Sequence, residues 1–497
     1  MNFPLNRNDV VARAVRTNAA RTERKLPGLF GKVTICGAAV SLFVPLALGV
    51  TDGAPKAATI GRLSRHVPTA AAVLQSVGKP APDSKLSLAI GLPLRNQEAL
   101  TNLLARIYDP ASPQYRQYLT SDQFTAMFGP TEEDYQKLTA FVQARGLTVT
   151  RTHPNRMILD VKGSVAEIEK AFQVSLRLYQ HPGEARKFFA PDGEPTLDVG
   201  GVRILHISGL DDFAKPKPAS LHVRPVDGTG PTPLAGSGPG GTFRGLDLRN
   251  AYAPSLSLTG AGQMVGLLQF SSYYPNDPTS YASQASISPI PPRINVILDE
   301  ISQTPGSENI EVALDIEMVI AMASGVSAIV VYEGLDGNDI LNRMATDNLC
   351  KQLSASWTFG IDATTPQIYQ QFAAQGQCYF NASGDDGAYI SDAPNPVDQP
   401  FVVAVGGTTL TTSGPLGSYV SEKVWNSVSA GTGGGISADI PIPIYQQGTS
   451  MVTNGGSTSF RNLPDVAMVA DGVYVVANNG TGSSVGGTSV ASPLWLK

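Results

Sequence analysis

Apolar positions along the chain change period several times. Asn96–Tyr108 (NQEALTNLLARIY) and Glu132–Gln143 carry apolar residues at helical spacing and predict helices. Ser121 and Asp122 ahead of Phe124-x-x-Met127-Phe128 predict a short capped helix. Leu147–Arg151 and Met157–Val161 alternate or run apolar as strands do, and Val165–Phe172 is helical again. Helices interleaved with short strands over residues 63–213 predict a compact α+β unit of the ferredoxin-like kind. Residues 214–241, almost all of them in the stretch KPKPASLHVRPVDGTGPTPLAGSGPGG, show almost no apolar periodicity and predict an exposed, protease-accessible linker. From Thr242 the pattern becomes short apolar strands (Met264–Phe270, Ala328–Tyr332, Phe401–Val405) alternating with helices (Ile310–Ala323, Pro366–Gln375). That alternation over 242–497 predicts an α/β domain built on a mostly parallel sheet flanked by helices.

The first 50 residues read differently. Seven Arg and Lys stand against Asp9 and Glu23 in residues 1–32, and the uncharged stretch VTICGAAVSLFVPLALGV follows. A basic lead, an apolar run and a small-x-small exit at Ala47-Leu48-Gly49 describe a signal peptide; the alternative is a retained membrane anchor. Both place the remainder outside the cytoplasm, with membrane contact only if the segment is retained.

Composition narrows the class. In 497 residues, 42 % are hydrophobic and 15 % charged, with 50 Gly and 37 Pro, which fits a turn-rich globular protein and excludes wholesale disorder, a coiled coil or collagen. A net charge of −5 argues against a nucleic-acid partner. Three cysteines exclude a disulfide framework and match no zinc spacing. Cys350 and Cys378 precede strands expected to be neighbours, and either pair or remain buried thiols.

The candidate chemistry lies after the linker. Gly486-Gly487-Thr488-Ser489-Val490-Ala491-Ser492-Pro493 puts a hydroxyl at the start of an apolar helix with little steric cover, where an acyl-transfer nucleophile is wanted. All five histidines lie at or before His222, so a Ser-His-Asp triad inside 242–497 is impossible and the proton acceptor must be a carboxylate. Glu311 and Asp315 stand at i and i+4 in an almost wholly apolar helix, close enough to share a proton. Glu311 is then the base for Ser489, and Asp315 holds and polarises it.

Further motifs occur in a fixed order: Leu353-Ser354-Ala355-Ser356-Trp357, Ala382-Ser383-Gly384-Asp385-Asp386-Gly387, Ala404-Val405-Gly406-Gly407-Thr408-Thr409, Glu422-x-Val424-Trp425-Asn426 with Gly433-Gly434-Gly435-x-Ser437, and Pro464-Asp465-Val466-Ala467. With the Glu311 and Ser489 motifs, this region resembles the catalytic domain of the sedolisin family, the serine-carboxyl peptidases that include kumamolisin. Residues 63–213, with Tyr118-Leu119-Thr120-x-x-Gln123-Phe124 and Phe128-Gly129-Pro130, resemble that family's activation propeptide.

The resemblance implies a subtilisin-like α/β fold, a Ser489-Glu311-Asp315 triad, and Asp385 as the group that donates to the oxyanion, which requires it to be protonated. It further implies that Trp357 borders the site and Asp392 lines the pocket for the residue before the scissile bond. The implied activity is an exported acid endopeptidase made as a zymogen, with polypeptide substrates and its own propeptide as intramolecular inhibitor. Two departures stand out. Gln269 occupies a position where some relatives carry a glutamate, which can share a proton as an amide cannot. The chain also stops at Lys497, eight residues after Ser489, so the resemblance implies a C-terminally incomplete domain without assignable ligands for the family's calcium and no other cofactor. An inactive remnant acting as a binding protein is the alternative, and a Gly/Ser/Thr-rich adhesin the third reading.

Overall fold

The structure, a computed structural model, describes residues 61–219, 221–224, 235–390, 392–449 and 451–496. The signal-peptide expectation for residues 1–50 lies outside them. Among the described residues no helix is long and apolar enough to cross a membrane.

The first domain pairs four strands, β1 (Lys85–Gly91), β2 (Thr148–Thr152), β3 (Ile158–Ser164) and β4 (His206–Ser208), in the antiparallel order β2-β3-β1-β4. Its helices are α1 (Gln97–Tyr108), α2 (Ser121–Phe128), α3 (Glu132–Ala144) and α4 (Val165–Phe172), each within two residues of the range its periodicity predicts. The start of α2 corrects one detail. Thr120, not Ser121 or Asp122, is the cap: its hydroxyl accepts from the Gln123 N–H while the Gln123 side chain accepts from the Thr120 N–H. Leu88, Ile90, Leu138, Val161, Ile168 and Phe172 form this unit's own core. The apolar faces of α1 and α2 turn away from it. Leu100, Leu104, Phe124 and Phe128 belong instead to the large cluster that contains Ile340 and Ile368 of the following domain.

The linker is not wholly exposed, as its composition had suggested. Strands β5 (Lys217–Pro218) and β6 (His222–Arg224) are paired, and Ala219 is 2 % exposed. A Pro/Gly-rich segment lacks periodicity of its own because the surface that orders it belongs to another part of the chain.

The second domain is organised around β7 (Met264–Gln269), β8 (Arg293–Ile297), helix α5 (Asn309–Met322), β9 (Ala328–Glu333), helix α6 (Gly337–Asp347), β10 (Gln352–Ala355), β11 (Trp357–Thr358), helix α7 (Thr365–Ala374), β12 (Cys378–Ala382), β13 (Val402–Thr412), β14 (Tyr419–Val424), β15 (Val466–Val469), β16 (Val473–Ala477), β17 (Thr481–Gly486) and helix α8 (Thr488–Leu494). The main sheet runs β8-β9-β7-β10-β12-β13-β14, with β15 also on β13, and every pair is parallel except β13–β14. This is the mostly parallel α/β sheet flanked by helices that the strand–helix alternation implies. Cys350 and Cys378 are free thiols, the first buried, the second half-buried.

Candidate active site

Helix α5 is buried at every residue but Ile310, which is why its sequence is apolar nearly all round. Two acids in such a helix need a reason to be there. Glu311 and Asp315 are both 0 % exposed. Helix α8 packs against α5 and delivers Ser489 one position inside its N-terminus, after β17 ends at Gly486.

Asp315 is held from two sides. Ser356 Oγ donates to Oδ1 at 2.7 Å, and Gln269 Nε2, at the end of β7, donates to Oδ2 at 2.7 Å. Gln269 is oriented in turn by the Trp357 indole N–H, which donates to its Oε1 at 2.8 Å. Burial pushes Asp315 up to about 7 against the pull of these two donors. Burial, then the neighbouring Asp315, raises Glu311 well above the usual carboxylate range. The Ser489 and Ser356 hydroxyls lie near enough to favour its ionised form, yet neither reaches hydrogen-bond geometry with it. Glu311 and Asp315 therefore behave as one coupled pair, and the proton goes to the pair rather than to either acid alone.

Ser356 has one proton and two acceptors, Asp315 Oδ1 and the Ser489 carbonyl oxygen at 3.2 Å. If Asp315 takes a proton on Oδ1, the Ser356 hydroxyl can turn to Ser489 and accept from Asp315 instead. Both positions of the shared proton are then satisfied, including the one that leaves the negative charge on Glu311.

Asp385 sits beyond β12. Its Oδ1 accepts from the Thr488 N–H at 2.7 Å and the Thr488 hydroxyl at 2.8 Å, while Oδ2 is buried with no hydrogen-bond partner. Burial raises its pKa to about 8, so below that pH Oδ2 carries a proton free to be donated. Gly487 has to be glycine: a Cβ there would stand 2.7 Å from Asp385 Oδ2.

The linker crosses this site. β5 pairs with β11 (Pro218 opposite Trp357), the Ala219 N–H donates to the Ser356 carbonyl at 3.0 Å, and β6 pairs with β17 (His222 opposite Gly486). Between the two pairings a Cβ on Gly487 would lie 3.5 Å from the Leu221 side chain.

The family model described as Pro-kumamolisin, activation domain, matches residues 73–213. Xanthomonalisin of Xanthomonas sp. (strain T-22) is 28 % identical over 485 residues, covering 83 % of this chain and 57 % of its own length. Kumamolisin of Bacillus sp. (strain MN-32) is 29 % identical, covering 85 % of this chain and 81 % of its own. Sedolisin of Pseudomonas sp. (strain 101) is 27 % identical, covering 82 % and 74 %. Over most of its length this chain is thus similar to xanthomonalisin, kumamolisin and sedolisin, and residues 73–213 match a pro-kumamolisin activation domain.

The structure gathers Ser489, Glu311, Asp315 and Asp385 around the end of the sheet. Trp357 lies beneath the linker, 2 % exposed, edge-on against Phe270 with 5.5 Å between centroids, and it pairs its backbone with Pro218. Its indole acts on Asp315 through Gln269. Asp392 is exposed, and no hydrogen bond or ion pair ties it to the others. Ser356 and Thr488 were the residues whose roles sequence reasoning missed. Both stand inside quoted motifs, and a hydroxyl in an otherwise apolar or small-residue strand end was the only signal available.

Among the described residues one group of three His, Cys, Asp or Glu lies close enough to share an ion: His153, Asp160 and Asp339, a nitrogen and two carboxylates.

Proposed function

We propose that this chain is an exported, acid-acting serine-type endopeptidase made as a zymogen, whose pro-region and linker close the cleft until the linker is cut. The observation that carries the reading is the linker lying across Ser489 with strand pairing on both sides, over a site whose only bases are carboxylates.

In this reading Ser489 Oγ attacks the carbonyl carbon and its proton passes to Glu311, charged because the shared proton rests on Asp315. The oxyanion meets the Asp385 Oδ2–H, held outward because Thr488 occupies Oδ1. Glu311 returns the proton to the leaving amine, and water, activated by the same carboxylate, hydrolyses the acyl-enzyme. Asp385 must be protonated and histidine plays no part, so the chemistry suits acid pH.

The test is a time course of the full chain moved from neutral to acid pH beside Ser489→Ala, with the new termini read by mass spectrometry. The expected first cut falls between residues 219 and 222, in the parent alone. A folded parent that is cut nowhere sinks the peptidase reading in favour of an inactive binding protein.

A further inference from the structure

A second buried polar cluster, unused by the catalysis above, joins the pro-region to the peptidase domain. His153 follows β2, Asp160 lies on β3, and Asp339 stands in the first turn of α6. Their side chains are 3 %, 8 % and 6 % exposed. His153 Nε2 is 2.9 Å from Asp160 Oδ2 and 4.0 Å from Asp339 Oδ1. Asp339 Oδ1 and Asp160 Oδ1 are out of water and have no hydrogen-bond partner. Asp299 and Asp336 act on the same space. Among the described residues the permanent cation facing them is Arg151, whose Nη1 is 2.9 Å from Asp299 Oδ1, 3.6 Å from Asp339 Oδ2 and 3.7 Å from Asp160 Oδ2. One guanidinium faces four carboxyl groups in a dry interface, and burial with the neighbouring acids raises Asp339 well above the usual carboxylate range, so a proton or a cation has to neutralise the excess.

We propose that His153, Asp160 and Asp339 form a site for a divalent transition-metal ion of the zinc type, which staples the pro-region to the peptidase domain. An imidazole nitrogen with two carboxylates and a water is a zinc donor set, with bonds of about 2.0–2.2 Å and ligand atoms roughly 3.3 Å apart in a tetrahedron. The separations of 2.9 and 4.0 Å bracket that value, and all three ligand atoms lie within 4.8 Å of one another. Asp339 has only to close toward His153, whose Nε2 offers its lone pair to the ion while Nδ1 carries the ring proton. The unpartnered Oδ1 of Asp339 gains a partner, and Arg151 remains as the counter-charge for Asp299. Two ligands come from the pro-region and one from the peptidase domain, so the ion binds only the joined form. This inference does not depend on whether Ser489 turns over.

The test uses the full chain carrying Ser489→Ala, freed of metal by chelation and then titrated with Zn2+ or Co2+ at neutral pH. Expected are one bound equivalent, the visible absorption of tetrahedral nitrogen–oxygen cobalt, and a melting temperature that rises with Zn2+. Asp339→Asn and His153→Gln should each weaken binding by about tenfold or more. No retained metal, or equal retention by both variants, overturns the proposal. The cobalt spectrum needs neither of these variants, so its absence decides the matter even if one of them fails to fold.

Discussion

Asp385 is the residue on which the pH range of the site turns. Thr488 fixes one carboxyl oxygen and leaves the other buried and unpartnered, so in the proposed mechanism the group works only while it holds its proton. With its pKa near 8 and that of Asp315 near 7, kcat/KM should fall as pH rises through 7 to 8, because the donor to the oxyanion becomes a charge that repels it. Asp385→Ala should cost roughly 100- to 1000-fold in kcat, measured on a peptide substrate at acid pH; an unchanged kcat would remove Asp385 from the oxyanion site. Ser356 is the second residue to test. Its Ala variant strands a buried carboxyl oxygen of Asp315, a loss of about 1–3 kcal/mol, which taken wholly in the transition state is roughly 5- to 150-fold in kcat. If Ser356 also lets the shared proton move, the variant's pH profile shifts as well. A purely structural role would lower the melting temperature and leave the profile in place.

Among elements, the linker strands carry most of the control. The Ala219 N–H gives the Ser356 carbonyl a hydrogen bond that a proline cannot. Ala219→Pro should therefore slow the first cut by about tenfold, a loss at the upper end of what one such bond contributes. Pulse sampling of the acid-shifted chain would check this, and an unchanged rate would mean that β5 does not position the scissile bond. The linker also marks where the sequence stops being readable. Helices α1, α3, α4 and α5 were legible because their apolar period reports burial directly. The Glu311–Asp315 pair was legible because charge inside an apolar helix is anomalous whatever covers it. β5 and β6 had no such signature, since a strand of two or three residues is too short for alternation and its partner lies more than a hundred residues away in sequence. The Trp357–Gln269 hydrogen bond was hidden for a similar reason: an aromatic residue beside a site reads the same whether or not its N–H is engaged.

At the scale of the whole molecule, acid acts in opposite senses on the two domains. His66 Nε2 accepts the Ile207 N–H at 3.1 Å while Nδ1 faces Glu194 at 3.1 Å, so both ring nitrogens are engaged in the neutral form. The ring stacks on His206 at 3.9 Å, and His206 faces Asp362 of the peptidase domain at 3.9 Å. Burial, then His206, lowers His66 to about 4, and burial lowers His206 too. A lowered histidine pKa means that the opened pro-region binds more protons than the closed one between pH 6.5 and about 4, so closure weakens as pH falls through that window. Asp315 and Asp385 have raised values. The folded peptidase domain holds their protons between about 4 and 7 or 8, and it gains stability as pH falls through that range. Acidification should thus loosen β4 from the peptidase domain while it tightens the site beneath. Hydrogen exchange on Ser489→Ala, corrected for intrinsic rates, should show protection at residues 206–208 dropping between pH 6.5 and 4 while residues 311–315 keep theirs. His66→Gln retains an acceptor for the Ile207 N–H without a titrating ring, and should flatten that response. If residues 206–208 stay equally protected across the window, the histidine pair is not what couples acid to opening.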